Sequence, residues 1–159
     1  MLRTTALLVA LASITITGCS KKKEGDGGGE SAKPAGPTKL PKLGLQIDVP
    51  GAVELSDAIG GEGHMLMGSG IGAMSIEITP TPQTIEEAKS DADMYSPKNL
   101  KDEKLADGWA LTYENTGSMG KNYFVNVRRD IDGKSYRCST TSPDERAQKV
   151  LAACKTLRK

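Results

Sequence analysis

Four residues of this sequence have side chains and a spacing that could bind a soft metal ion. His64, Met65 and Met67 lie close together, and Met74 follows on what reads as the next strand. Imidazole and thioether groups are ligands that suit Cu(I). However, Met65 and Met67 would share one face of a strand while His64 points to the other, and methionine commonly fills irregular gaps in cores. Core packing is therefore the main interpretation, copper binding is a minority hypothesis, and no cofactor is predicted.

Motifs of common catalytic sites are missing from the sequence. Ser69 lies in Met67-Gly68-Ser69-Gly70-Ile71, which lacks the first glycine of the GxSxG nucleophile motif. The HExxH and GxxxxGK[ST] motifs do not occur. Asp130-Ile131-Asp132-Gly133 resembles a fragment of a calcium loop, but its glycine comes too early and the distal glutamate is missing. We predict no catalytic residues, although a carboxylate pair drawn from distant parts of the chain stays an open alternative.

The charge balance argues against one class of partner. The chain has 159 residues, of which 21 are basic and 20 acidic, and Arg3 is the only charged residue before Cys19. The chain from Cys19 onward is therefore neutral. Binding to nucleic acid needs a clustered positive field, so we predict no nucleic-acid partner. Aromatic residues make up only 4% of the chain, so the core must rest on Leu, Ile, Val and Met.

Residues 1–18 are typical of a bacterial export signal. Arg3 supplies a positive charge, and the apolar stretch 6–16 is shorter than the roughly 20 residues of a membrane-spanning helix. Ile16-Thr17-Gly18-Cys19 resembles the lipobox of bacterial lipoproteins. The resemblance implies that a diacylglycerol is attached to the Cys19 thiol and that the chain is cut before Cys19. The alternative is cleavage by the general signal peptidase without lipidation. This peptidase prefers a small residue three positions before the cut, where this chain has Ile16.

A polar tether is predicted to follow the anchor. Residues 19–39 contain Cys19 and then a stretch rich in Gly, Lys and Pro, which cannot bury enough surface to offset its ordering entropy. Residues 40–159 are expected to form one folded domain. Lipid chains attach such a protein stably to a membrane, so we expect a location in the bacterial cell envelope. An aspartate directly after the lipidated cysteine resembles an inner-membrane retention signal. This chain has Ser20 at that position, which favours the outer membrane.

The cysteine count predicts a disulfide. Lipidation of Cys19 leaves Cys138 and Cys154 in a compartment that permits disulfides. Asp132-Gly133 is typical of a type I′ hairpin turn. Counting outward from that turn sets Val127 opposite Cys138 and places both on one apolar face.

A terminal helix is expected to bring the second cysteine to the same face. Ser142 and Glu145 have the spacing of a capping box, with Pro143 at the first helical position. Cys154 lies on the apolar stripe of this helix. We therefore predict a bond between Cys138 and Cys154, and two buried free thiols are the alternative.

The remaining elements predict an α+β domain. Four strands are expected first, at residues 43–49, 53–55, 65–69 and 73–79. A helix follows, with a capping box from Thr84 to Glu87. Two strands then flank Asp107-Gly108, another type I′ signal, before the final hairpin and helix. The predicted order is four strands, a helix, four strands and a helix, in a mostly antiparallel sheet with both helices packed on it.

This order resembles the PsbP-like fold, which occurs in small exported and lipid-anchored bacterial proteins, over about residues 40–159. The resemblance transfers no functional residues. The chain is also similar to small lipoproteins of Gram-negative bacteria, which implies a location. Our functional hypothesis is a non-enzymatic binding or accessory module that acts on another envelope protein. The alternative is a small hydrolase, or a periplasmic protein that binds a ligand or metal at a dispersed site. A deep pocket would favour the alternative, and an exposed apolar patch the first hypothesis.

Lipidation at Cys19 is directly testable. Cells that express the chain and grow with a radiolabelled fatty acid are expected to label the protein, because the thiol is the attachment point. The Cys19→Ala variant is expected to lose the label. A protein that stays unlabelled, or a label that survives in the variant, would rule out this modification.

Overall fold

The computed structural model describes residues 36–118 and 120–159, and these residues form an α+β domain, as predicted. The elements are β1 (Thr38–Leu40), β2 (Leu45–Ile47), β3 (Glu54–Asp57), β4 (Gly63–Gly68), β5 (Gly72–Ile78), α1 (Ile85–Asp93), β6 (Lys98–Leu105), β7 (Gly108–Gly117), β8 (Gly120–Ile131), β9 (Lys134–Ser142) and α2 (Arg146–Lys155). All of the strand pairs are antiparallel.

Differences at the start of the domain change the predicted element order. Strand β2 covers only the middle of the predicted strand 43–49. Strand β1 includes Thr38 and Lys39, which the sequence analysis assigned to the tether. Five strands therefore precede α1 instead of four. Strand β1 was missed because Leu40 is its only apolar residue, and its pairing with β2 in a separate two-stranded sheet is a tertiary feature.

The other seven strands form one sheet, in the order β3-β4-β5-β9-β8-β7-β6. Its final hairpin has the predicted register, with Val127 opposite Cys138. Asp132 and Gly133 have φ values of 49° and 73°, and a type I′ turn requires positive φ at both positions. This turn prediction is confirmed.

The hairpin between β6 and β7 turns one residue earlier than predicted. Leu105 lies opposite Gly108, so Ala106 and Asp107 form the turn and Gly108 begins β7. Because Asp107 does not have a positive φ, the predicted type I′ turn at Asp107-Gly108 is wrong. The glycine is needed for a different reason, since a Cβ at position 108 would clash with the carbonyl oxygen of Arg128 on the neighbouring strand.

The main core lies on the sheet face against which α2 packs, which we call the α2 face. Its fully buried members include Leu40, Ile47, Leu66, Ile76, Val127, Cys138, Val150, Cys154 and Leu157. Cys138 and Cys154 form a disulfide, with their Cα atoms 5.8 Å apart. The predicted bond and the predicted packing of the last helix on this face are both confirmed.

Helix α2 begins later than predicted. Ser142 remains in β9, where it lies opposite Tyr123, so the expected capping box with Glu145 does not form. Glu145 is the N-cap residue and makes no side-chain capping hydrogen bond, while Oδ1 of Asp144, one residue earlier, accepts a hydrogen bond of 2.9 Å from the backbone N–H of Arg146. Hydrogen bonds from the Arg146 guanidinium and from this N–H lower the pKa of Asp144 to about 2.

Helix α1 packs on the opposite face of the sheet, which we call the α1 face. The predicted capping box is present: the Thr84 side chain accepts from the backbone N–H of Glu87, and the Glu87 carboxylate accepts from the backbone N–H of Thr84. The buried residues of this second cluster are Ala88, Ala92, Trp109, Leu111 and Tyr113. The two helices therefore lie on opposite sides of one sheet.

Reduction of the Cys138–Cys154 disulfide is expected to lower the free energy of unfolding by about 3 kcal/mol, because the bridge restricts the unfolded chain. Urea unfolding of the mature chain carrying Cys19→Ser, with and without a reductant, measures the loss. A Cys138→Ala/Cys154→Ala variant is the control and should not respond to the reductant. Equal unfolding midpoints for the disulfide-containing protein in both conditions would contradict this account.

Candidate functional site

Helix α1 leaves part of its face of the sheet open. It packs on β7, whereas Ala73 of β5 and Thr141 of β9, on the same face, remain exposed. A cleft of about 670 Å³ lies between α1, residues 79–83, and strands β5, β9 and β8. This volume falls within the range of roughly 300–1,000 Å³ that is usual for small-molecule sites. We call it the α1 cleft.

A row of polar side chains crosses the floor of the α1 cleft. Ser75 of β5 lies opposite Ser139 of β9, and Ser139 lies opposite Asn126 of β8. Residues that are opposite each other project to the same face, so the three side chains are neighbours. The hydroxyl oxygens of Ser75 and Ser139 are 3.1 Å apart and form a hydrogen bond. Three adjacent strands thus present two hydroxyls and one amide to the cleft.

Asn126 carries an unsatisfied acceptor. Its Oδ1 is buried and has no hydrogen-bond partner among the residues that the structure describes. A buried polar atom without a partner costs roughly 1–3 kcal/mol. Native proteins tolerate few such atoms, and those that persist call for a physical explanation. Asn126 lines the cleft, but its Oδ1 is fully buried in the free protein, so a ligand can pair with this atom only if the side chain turns toward the cleft.

The two arginines that line the cleft are already paired. Arg128 contacts Asp130 at 2.7 Å and also donates to the carbonyl oxygen of Gln83. Arg137 contacts Glu77 at 3.2 Å. Burial raises the pKa of Asp130, but hydrogen bonds from Arg128 and a neighbouring serine outweigh this effect and lower the pKa overall. These pairs leave little free positive charge with which to bind an anion.

Aromatic residues form the wall of the cleft nearest α1. The rings of Tyr113 and Phe124 are stacked with centroids 4.5 Å apart, and Tyr95 packs on Phe124 at 5.7 Å. Burial, followed by the neighbouring Tyr95 and Asp91, raises the pKa of Tyr113, which keeps its phenol neutral. Tyr95 is 51% exposed, so it offers a site for contact with a bound molecule.

The side chains of the copper hypothesis are divided between two faces. Met65 and Met67 point to the α1 face, whereas His64 and Met74 are buried on the α2 face. The Nε2 atom of His64 accepts a hydrogen bond of 3.1 Å from the backbone N–H of Lys42. The four potential ligands therefore do not converge. Across residues 36–118 and 120–159, no group of three or more His, Cys, Asp or Glu side chains could hold a metal ion.

The other predicted site residues do not form the cleft. Cys19 lies outside the described residues, and the Cys138–Cys154 disulfide is across the sheet from the cleft. Sequence reasoning missed Ser75, Ser139 and Asn126, because polar residues that alternate with apolar ones are typical of a solvent-facing strand surface. Only the pairing of β5 with β9, together with the position of α1, brings them into one enclosed row.

Comparison with known proteins assigns no family. No family model matches the chain, and no curated protein is significantly similar to it. In the part of the chain that the structure describes, no helix has the length and apolar character needed to cross a membrane. The α1 cleft is therefore the feature from which a function can be inferred.

The cleft has groups for binding, but it lacks the parts of a serine–histidine hydrolase. A serine nucleophile needs a base within hydrogen-bond reach. Ser75 and Ser139 contact each other, while His64, the single histidine of the sequence, is buried on the other face. The arrangement is suited to hydrogen-bonding a polar ligand.

Replacing Asn126 with leucine is expected to raise the free energy of unfolding by about 1 kcal/mol, because an apolar side chain of similar size removes the unpaired buried acceptor. Urea unfolding of the mature Cys19→Ser chain measures the change.

Asn122→Leu provides a matched control on the same strand and face. The Nδ2 of Asn122 donates to Oδ1 of Asn115 at 3.2 Å, so this substitution removes a hydrogen bond and should leave stability unchanged or lower. If both variants are destabilised equally, the buried Oδ1 of Asn126 is not a source of strain in the free protein.

Proposed function

We propose that this protein is a non-enzymatic binding protein of the bacterial cell envelope that holds its ligand in the α1 cleft. The observation that carries the proposal is the preformed cleft, whose polar floor contains the unpartnered Oδ1 of Asn126. A concave site with a few convergent polar groups is the usual form of a ligand site. A ligand that draws the Asn126 side chain toward the cleft would give this acceptor a partner and remove the free-energy cost of leaving it unpaired.

In this proposal the protein is still anchored through a lipid on Cys19, but the domain binds a ligand instead of another envelope protein. Lipidation at Cys19 and the polar tether of residues 19–39 would hold the domain at the membrane, with the outer membrane favoured by Ser20. The PsbP-like resemblance is part of this proposal through the terminal helix packed on the sheet, because five strands instead of four precede α1 and the predicted element order no longer supports it. The sequence-based hypothesis placed another envelope protein as the partner. A concave cleft with a polar floor instead supports the alternative of a ligand-binding protein, because a largely apolar cleft with a few polar groups is the usual form of a ligand site.

The proposal favours binding over hydrolysis. The serine pair at the floor has no imidazole beside it, and the two lining arginines are each engaged by a carboxylate. The hydrogen-bonded serines and the ion-paired arginines can orient a ligand, but neither serine is arranged as an activated nucleophile. This is why we assign the cleft a binding role.

Filling the cleft provides the test. Ser139→Phe places an aromatic ring on the cleft floor, while Ser56→Phe makes the same substitution at an exposed position of β3, outside the cleft lining. A ligand that binds only the folded state raises its melting temperature. The Tm of the mature Cys19→Ser protein is expected to rise in a detergent-free envelope extract of a Gram-negative host.

The two variants decide whether the cleft is responsible. The Ser56→Phe protein is expected to show the same rise in Tm, and the Ser139→Phe protein none, with circular dichroism confirming that both are folded. An equal rise in both variants would place the binding outside the cleft. No rise in any of the three proteins would remove the support for a ligand from the envelope.

A further inference from the structure

We infer that the α1 cleft binds a neutral saccharide chain. This inference rests on the proposed function and names the chemical class of its ligand. Three features of the cleft carry it: its paired charges, its row of donors and acceptors, and its aromatic wall. Each feature narrows the class of molecule that the cleft can hold.

The charges argue for a neutral ligand. Arg128 and Arg137 contact Asp130 and Glu77, so an anion would have to displace a carboxylate from one of them. Asp91, which also lines the cleft, accepts a hydrogen bond of 2.7 Å from the Gln83 amide and carries an unneutralised negative charge. Like charges disfavour an anionic ligand further.

The floor argues for a ligand with several hydroxyl or acetamido groups. Ser75, Ser139 and Asn126 lie on adjacent strands, which are separated by about 4.8 Å. The hydroxyl oxygens of Ser75 and Ser139 are 3.1 Å apart, so two neighbouring hydroxyls of one sugar ring can contact both of them. Hydroxyl groups both donate and accept hydrogen bonds, so one ring can contact both serine hydroxyls and, if the Asn126 side chain turns toward the cleft, its amide as well.

The wall argues for a ligand that also has an apolar side. Tyr95, Tyr113 and Phe124 form a continuous aromatic cluster beside the polar floor. A sugar ring presents C–H groups on one side and hydroxyls around its edge, so it can contact both surfaces. The half-exposed Tyr95 combines an apolar ring with a polar hydroxyl, which suits a partly wet contact.

An extended peptide matches the cleft less well. One common mode of peptide binding adds a strand to the edge of a sheet, where free backbone groups pair with it, but this cleft lies over the interior strands β5, β9 and β8. Apolar peptide side chains would also strip water from the serine hydroxyls without replacing their hydrogen bonds. A peptide is therefore an outcome that the experiment must separate from a saccharide.

Titration calorimetry on the mature Cys19→Ser protein tests the inference, with chitotriose and cellotriose as saccharide probes and tetra-alanine as the peptide probe. Trp109, the single tryptophan of the sequence, lines the cleft and reports binding independently by fluorescence. We expect at least one saccharide to bind and tetra-alanine not to bind. Asn126→Leu is expected to weaken saccharide binding about tenfold, which is the loss of roughly one hydrogen bond, and Asn122→Leu to leave it unchanged.

Ser139→Phe is expected to abolish saccharide binding, while Ser56→Phe preserves it. Saccharide binding that is unaffected by both Asn126→Leu and Ser139→Phe overturns the inference, because the site would then lie elsewhere. If tetra-alanine binds and neither saccharide does, or if no probe binds, the saccharide class is wrong. In either case, a cleft-dependent rise in Tm with envelope extract would show that the proposed binding function still holds. If that rise is also absent, both the binding function and the saccharide class are wrong.

Discussion

The Cys138–Cys154 disulfide joins α2 to β9, and the main core is arranged around this bond. Strand β9 lies between β5 and β8, at the centre of the seven-stranded sheet. The bond therefore holds the last helix against the strands that connect the two halves of the sheet. Most of the buried residues lie on the α2 face, whereas the second cluster covers only the part of the α1 face around Trp109, Leu111 and Tyr113, so the rest of that face is free to remain open.

Helix α1 covers only part of its face of the sheet because of the side chains through which it packs. The helix turns the small side chains of Ala88 and Ala92 toward β7, which lets it lie close to the sheet there. It does not extend over β5 and β9, and the polar floor at Ser75 and Ser139 is left beneath the opening. The hydrogen bonds from Trp109 and Arg128 to the carbonyl oxygen of Gln83 fix the segment that closes this end of the cleft.

Asn126 shows how stability and binding oppose each other in this domain. Its buried acceptor lowers the stability of the free protein, whereas leucine at the same position would pack without that cost. Natural proteins commonly keep destabilising groups where a ligand uses them. This gives Asn126 a physical role that its position in an otherwise ordinary strand does not reveal.

Local sequence signals predicted much of the fold and little of the site. Asp132-Gly133 specified the hairpin that sets Cys138 opposite Val127, and the capping box at Thr84 marked the start of α1. Asp107-Gly108 gave a wrong turn prediction. Gly108 is needed because two strands approach closely there, and Asp107 does not have the positive φ that a type I′ turn requires. The cleft could not be predicted, since β5 and β9 are far apart in the sequence, with Ser75 paired to Ser139, and no local pattern specifies which strands α1 covers.

The most direct test of the central claim, that the α1 cleft is a ligand site, is a nuclear magnetic resonance map of the ¹⁵N-labelled mature Cys19→Ser protein with and without chitotriose. The account predicts that chemical shifts change at the Asn126 side-chain amide, the Trp109 indole N–H and the backbone amide of Ser139. Resonances of Val150, which is buried in α2 on the other face, should stay in place. Shift changes confined to the α2 face or to the edge strands β3 and β6, with Asn126 unaffected, would contradict it.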